Sequence, residues 1–508
     1  MPKLELNMEL ARRIRGSLSG SIDISLLEDA VISHRIFQRL RRVKQTAFLS
    51  YVFPGATHTR FEHSLGSMHL AKKAWVKLAE NQKRLALAST KYVNFCEREK
   101  QKDSKESIQH GLLAPTFSII DEVFSSDYNL QCLRLAALLH DVGHPPFSHS
   151  GEQFLPSWED LYTASLQAPQ YLKDYLKIQS MERKSERSSH EVYSFLLIDR
   201  ILSDVYATAP DLSLKVAARD VISILCPLIA PVSDSELGKN KLNRLLNELV
   251  SGEIDIDRMD YLQRDARECG VVYGMFDEER LMDSICFYYH PKDAFFHLGI
   301  LYSGLAAFED YLRARQSMYV QLYFHKTAVA CEAMLKKIGR LVGKFLPTDL
   351  DLYVGIDESN FADFLLTDLP KNLSADEKLY LKSLLRDLFY DRKLWKRAYE
   401  ATARGSSDSD LYDLKRAESI LKEFNLPYEK ISSQNLLSKI KPRKQSEESV
   451  NNLKVIKKDS KQFLRVFPIE DLSNIGSKDQ EIRLHRLYID ETDKKEAQRF
   501  RQVLLNSL

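Results

Sequence analysis

The sequence predicts a mainly α-helical fold with a small α+β lobe at the C-terminal end. Two observations carry this. Apolar residues recur at helical spacing through most of the first 345 residues, whereas strict alternation appears late, in Phe463–Pro468 and Ile482–Ile489. In addition, the run Gln131 to Leu139, nearly all apolar from Cys132 onward, reads as a buried helix that ends in the adjacent pair His140 and Asp141. The chain divides on this reading into a helical core (1–345), a helical extension (346–440), a charged linker (441–461) and the small α+β lobe (462–508).

With 508 residues and 44% hydrophobic content, the chain can bury a large core. Lys+Arg 73 against Asp+Glu 71 leaves it near neutral, which argues neither for nor against nucleic acid. Six cysteines without a C-x-x-C pair predict reduced thiols in a cytoplasmic protein and no zinc ribbon. No signal peptide, membrane span or internal repeat is predicted.

In chain order, Arg12, Arg13 and Arg15 form a basic cluster before the turn-like Gly16 to Gly20, and Ile22 to Leu27 begins either a strand or a helix. His34 to Phe48 has an amphipathic helical pattern, with Ile36, Phe37, Leu40 and Val43 on one stripe and Gln38, Arg41 and Gln45 on another. Pro54-Gly55 turns the chain into a helix over about 59–80, on which His63 and Arg60 lie one turn apart. Residues 81–111 and 156–189 are polar excursions, and His190 opens a further helix.

Five ionisable groups follow the apolar helix within a few turns: His140, Asp141, His144, His149 and Glu152. Gly143 and Pro145-Pro146 stop the helix there. So many imidazoles and carboxylates beside a buried element are expensive unless a metal or an anion uses them. A second acidic string, Asp255, Asp257, Asp260 and Asp265, is interleaved with Ile254, Ile256, Met259 and Leu262, as in a half-buried element. Leu305 to Val342 is expected to be one long helix presenting Arg315, Tyr319, Tyr323 and Lys326 near one face. Residues 370–440 read as helical and polar, with 403–410 a loop.

The string H-D-x-G-H-P-P-F-S-H resembles the HD-domain phosphohydrolases. The flanking F-P-G-x-x-H-x-R-F-E-H and I-D-x-D-R-x-D-Y segments look most like the deoxynucleoside triphosphate triphosphohydrolases, the dGTPase-like and sterile-alpha-motif-and-HD-domain enzymes. The resemblance covers the motif-bearing parts of residues 20–335. It implies a metal-dependent enzyme that hydrolyses deoxynucleoside triphosphates to deoxynucleoside and tripolyphosphate. It assigns His63, His140, Asp141 and Asp257 as ligands of one divalent metal, with Asp255 the rival for the fourth position. Two imidazoles and two carboxylates suit Mg, Mn, Fe or Ni.

By the same resemblance, His149 is the acid at the 5′-oxygen, oriented by Glu152 and His190. His144, Arg60, Arg258 and Tyr261 hold the phosphates, with Arg315 beside them. Gln45 and Asp265 read the sugar 3′-hydroxyl, and Tyr323 crowds the 2′ position. Gln38 and Arg41 match positions that contact a nucleotide activator, and the family forms homo-oligomers (dimers, tetramers or hexamers). Two departures stand out: Phe324 replaces the Gln of the family's Y-Q-H-K, and Ser33 stands where an acidic residue precedes Gln38. Another HD-type phosphomonoesterase or phosphodiesterase acting on nucleotides, and a catalytically idle nucleic-acid-binding scaffold, are the alternative readings.

Overall fold

The computed structural model describes residues 8–99, 120, 123–290, 295–367, 373–404, 409–423, 427–435, 453–458, 464–473, 482–491 and 494–507. Helices dominate, as expected, and the strands form small sheets. β1 (Leu10–Gly16) and β2 (Gly20–Ser25) make an antiparallel hairpin. The undecided stretch 22–27 therefore divides between β2 and the helix Leu26–Ser33, whose start is fixed by a reciprocal Ser25–Glu28 capping box.

The helix Asp127–Leu139 is the buried centre of the molecule, with every residue from Asn129 to Leu139 buried. It packs against the long helix Arg60–Glu99, which continues well past the predicted end near residue 80. The helix Ile256–Glu268 crosses Arg60–Glu99 at Gly66, where a Cβ would overlap Asp260 Oδ1 and Arg264. Gly143 is needed for the same reason: a Cβ there would run into the backbone of the helix His190–Thr208 at His190 and Ser194. Gly66 and Gly143 thus both mark close approaches between elements.

Four expectations are corrected. The amphipathic stretch His34 to Phe48 is not one helix: Arg35–Gln38 is a single turn, followed by 3₁₀ turns at Arg39–Arg42 and Ala47–Tyr51. Lys44 bridges instead to Thr59, and the Gln45 amide donates to the His58 carbonyl at 3.1 Å, so pairing with the next segment overrides the local pattern. Likewise Leu305 to Val342 breaks in two, Leu305–Met318 and Lys326–Val342. Between them a π-helical turn, Tyr319–Tyr323, closes with the Phe324 amide donating to the Tyr319 carbonyl at 2.9 Å.

The third correction concerns residues 370–440, which contain two strands, β5 (Lys396–Arg404) and β6 (Tyr428–Asn435), flanking the helix Ser409–Glu423. Fourth, the stretch expected to be a linker includes β7 (Lys454–Lys458), which pairs in parallel with β4 (Phe295–Leu301). β4 also pairs with β3 (Ile285–His290), and β7 with β8 (Leu464–Pro468), giving the order β3-β4-β7-β8. The linker residues 441–452 lie outside the described residues, as do 459–461.

β9 (Ile482–Ile489) is the central strand of the sheet β5-β9-β6, and the helix Lys494–Ser507 follows it. Ala398, Leu414, Leu421, Leu487, Ile489, Ala497 and Leu504 form a core of their own under this sheet. Leu381, Leu385, Leu394 and Trp395 belong instead to the main core, so the second core starts near β5 rather than beyond 461. Cys132, Cys226, Cys269, Cys286 and Cys331 are free and buried, in keeping with reduced thiols. Among the described residues no helix is long and apolar enough to cross a membrane.

Candidate active site

Three helix ends bring the predicted ligands together. His63 lies in the first turn of Arg60–Glu99, His140 caps the C-terminus of Asp127–Leu139 with Asp141 next to it, and Asp257 sits in the first turn of Ile256–Glu268. His63 Nε2 is 2.9 Å from Asp257 Oδ1 and 3.5 Å from Asp141 Oδ2. His140 Nε2 is 3.4 Å from Asp257 Oδ1 and 3.3 Å from Asp141 Oδ1. The two Nε2 atoms are 3.3 Å apart.

The remaining nitrogen of each ring is engaged elsewhere. His63 Nδ1 faces Asp260 Oδ2 at 2.9 Å, and His140 Nδ1 faces the Ala137 carbonyl at 2.8 Å. Both oxygens can only accept, so each Nδ1 carries the proton and each neutral ring turns its Nε2 lone pair inward. Two lone pairs and two carboxylates then converge, an arrangement that a divalent cation satisfies and that metal-free protein can relieve only by protonation. Burial works against a charged His63, but the carboxylates of Asp257 and Asp260 raise its pKa to about 10. Desolvation works against the charge on the partly exposed Asp257, yet His140 and His63 hold its carboxyl well below its ordinary range. These groups fit a mixed nitrogen–oxygen metal site.

Local helix geometry gives Asp255 and Asp257 different surroundings. Asp255 is the N-cap: its side chain accepts the Arg258 amide at 2.7 Å and lies 3.4 Å from Arg258 Nε. That task turns it away from the two histidines, while Asp257 faces them.

Beside the ligand cluster stands a second group. Glu152 Oε1 receives Nδ1 of both His149, at 3.0 Å, and His190. Burial opposes the charge on Glu152, but the two imidazoles hold its carboxyl down at about 2. His190 stacks on His144 with ring centroids 3.6 Å apart. The two neighbouring histidines of the motif differ sharply in access: His144 is 1% exposed and His149 74%. His144 is pushed well below the ordinary histidine range by burial and by the charges of Arg60 and His190. His149 is thus the imidazole open to an incoming molecule.

A cavity of about 440 Å³ joins these groups and is lined by Arg60, Arg258 and Tyr261, by Gln45 and Asp265, and by Tyr319 and Tyr323. That volume suits a small-molecule ligand. Arg60 bonds both Asp141 and, at 3.0 Å, the Ser148 hydroxyl. Tyr323 donates its hydroxyl to Asp265 at 2.6 Å, and His58 Nε2 lies 2.7 Å from the other oxygen of Asp265. Arg315 is buried, with its guanidinium 5.8 Å from the Tyr319 ring centroid, and does not line the cavity. Gln38 and Arg41 also lie away from it: Arg41 donates to Gln38 at 2.8 Å and covers the Phe61 ring at 3.5 Å.

Sequence reasoning missed several contributors. Asp260 aligns His63, and its i+3 spacing from Asp257 on a helix was the available signal. His58 and Ser148 stood inside the quoted motifs without a role. Glu358 gave no local signal, yet one of its oxygens accepts both the Lys44 amide, at 3.0 Å, and the Phe147 amide, at 3.2 Å. Phe147 and Ser148 both have left-handed backbones (φ 64° and 54°), which places His149 after a tight turn that Glu358 helps to hold.

Residues 113–265 match the family model of the HD domain. The chain is 30% identical over 326 residues to an uncharacterized protein of Methanocaldococcus jannaschii, covering 64% of this chain and 48% of that protein. It is 23% identical over 408 residues to the deoxynucleoside triphosphate triphosphohydrolase SAMHD1 of Homo sapiens, covering 74% of this chain and 54% of that protein. The chain thus spans about half the length of several curated relatives it matches. Two solved structures share the fold. One is a hypothetical protein from Aquifex aeolicus (TM-score 0.59, 23% identity, 96% of this chain and 99% of that one). The other is a phosphohydrolase from Bacteroides thetaiotaomicron (TM-score 0.57, 20% identity, 94% and 100%).

Proposed function

Because this chain carries an HD domain, we propose that it is a metal-dependent phosphohydrolase and, more narrowly, that it cleaves deoxynucleoside triphosphates to deoxynucleoside and tripolyphosphate. The observation that supports this best is the convergence of His63, His140, Asp141 and Asp257 at one end of a cavity whose other surfaces carry Arg60, Arg258, Asp265 and Tyr323. The similarity to the human triphosphohydrolase supports the narrower reading.

In this mechanism His63, His140, Asp141 and Asp257 would hold one divalent cation. Such an ion neutralises phosphoryl oxygens and lowers the pKa of bound water. Arg60 and Arg258, with His144 and Tyr261, hold the phosphate chain in the cavity. Water adds to the α-phosphorus and gives up its proton to solvent as the bond to the 5′-oxygen breaks; His149 gives its proton to that departing oxygen, and Glu152 keeps the ring oriented through Nδ1, leaving Nε2 toward the substrate. His190 shares that carboxylate and stacks behind His144, so the acid and the phosphate-binding imidazole are set by one framework. Gln45 and Asp265 receive the sugar 3′-hydroxyl, and the Tyr323 ring fills the space a 2′-hydroxyl would need.

Chromatography of the products of the manganese- or magnesium-loaded protein on each of the four deoxynucleotides tests this. Tripolyphosphate with deoxynucleoside is the expected outcome. Orthophosphate or pyrophosphate would move the reaction to another HD-type phosphohydrolase, and no turnover of any nucleotide would favour a binding scaffold.

A further inference from the structure

The turn that carries Tyr319 and Tyr323 is fastened from outside the helical core. Alternation along β9 sends Leu487 and Ile489 into the core of the C-terminal lobe and turns Arg486 and Tyr488 toward the main body. Arg486 is 6% exposed and Tyr488 1%, so both act from a sealed contact. The Arg486 guanidinium donates to the Phe324 carbonyl and is anchored in turn by Glu400 of β5. The Tyr488 hydroxyl donates to the Lys326 carbonyl at 2.7 Å.

Those two carbonyls stand on either side of His325, at the C-terminal end of the break between the helices Leu305–Met318 and Lys326–Val342. A π-helical turn followed by extended His325 (ψ 130°) interrupts the helical ladder, and the Phe324 carbonyl takes its donor from another part of the chain. On the other side of the same turn, Tyr323 is tied to Asp265 at 2.6 Å, and the Tyr319 and Tyr323 rings lie 5.0 Å apart at the cavity wall. Arg486 also carries a charge that acts on Glu332, another residue lining the cavity. The lobe therefore grips the backbone immediately behind the cavity wall formed by Tyr319 and Tyr323.

We propose that Arg486 and Tyr488 of the C-terminal lobe are positioning residues for the substrate cavity, holding the Phe324 and Lys326 carbonyls so that Tyr319 and Tyr323 stand at a fixed depth. The predicted effect on sugar discrimination rests on the deoxynucleotide reading above; the positioning itself does not. The lobe is thus a working part of the pocket, and any contact made on it has a mechanical route to the site.

The test uses the full-length, metal-loaded protein with Tyr488→Phe, Arg486→Met and Arg486→Lys. In Tyr488→Phe and Arg486→Met the preference for dATP over ATP, as a ratio of kcat/KM, should fall about tenfold, chiefly through KM, with metal content unchanged. Amide hydrogen exchange should quicken over residues 319–326 and stay as in the parent over 131–152. Arg486→Lys keeps one donor and should recover part of the ratio. A lobe that serves only stability would lower the active fraction and leave the ratio and KM untouched. Parent-like selectivity and parent-like exchange in both variants overturn the proposal, and Tyr488→Phe alone decides if Arg486→Met does not fold. Should the parent turn over no deoxynucleotide, the functional reading fails, while exchange over 319–326 still decides the positioning role.

Discussion

Asp260 Oδ2 stands 2.9 Å from Nδ1 of His63, on the side of the ring opposite the nitrogen that faces Asp257. Arg264 clamps the same carboxylate through both oxygens at 2.7 Å, so the orientation of His63 is set by a buried ion pair. Carboxylates behind a ligating histidine fix its tautomer and raise its basicity, and their loss weakens metal binding by roughly 10–100-fold. Asp260→Asn should weaken metal affinity by about that much without abolishing it, as measured by calorimetric titration.

The ligands themselves should behave differently. Asp141→Ala and Asp257→Asn are expected to lose both bound metal and turnover, whereas Asp255→Asn should keep both. Asparagine can still accept the Arg258 amide and cap the helix, at a difference of about 1 kcal/mol or less. Elemental analysis decides: full metal occupancy in Asp257→Asn, or loss in Asp255→Asn, moves the fourth ligand.

His149 is the exposed member of the histidine group, and removing it should cost on the order of 10²–10⁴ in rate with metal content intact. Glu152→Gln should act in the same direction, because a glutamine cannot hold the two imidazoles as a carboxylate does. Metal loss from His149→Ala would make that residue structural rather than an acid.

Burial pushes the Glu358 carboxyl up to about 7 from its ordinary value of 4.5. Its proton is thus bound more tightly in the folded chain than in the unfolded one, and its favourable contribution is complete below pH 4.5. That contribution is lost as pH rises through 7, by an amount on the order of 1–3 kcal/mol. Glu358→Gln imitates the protonated acid and keeps an oxygen for the Lys44 and Phe147 amides. Its denaturant stability should therefore fall less between pH 5 and pH 8 than the parent's. Equal slopes would show that this carboxyl does not titrate in that window.

Tyr323→Ala should hydrolyse ribonucleoside triphosphates measurably where the parent strongly prefers deoxynucleotides, a change of roughly 10–200-fold in discrimination. Tyr323→Phe keeps the ring and loses only the bond to Asp265, so it should retain most of the discrimination. Comparable turnover of ATP and dATP by the parent would reduce Tyr323 to core packing.

The helical class was legible in the chain itself, because apolar residues recur at helical spacing over long segments and Cys132–Leu139 is built of helix formers. The sequence also marked the groups that meet at the site, because His-Asp at a helix end and carboxylates three residues apart are patterns of local spacing. Only the tertiary structure decided how those groups face one another. Asp255 and Asp257 are equivalent in composition and are separated by the N-cap geometry of one helix. The reading failed where long-range pairing overrode local preference. Lys396–Arg404, rich in helix-favouring Lys, Arg, Ala and Glu, becomes a strand because it pairs with β9 nearly ninety residues later. The continuous periodicity from Leu305 to Val342 concealed a break that closes against residues from the far end of the chain. Hydrophobic spacing records which side of a segment is buried. It does not record what the buried side meets, and that is fixed only when distant segments pack together.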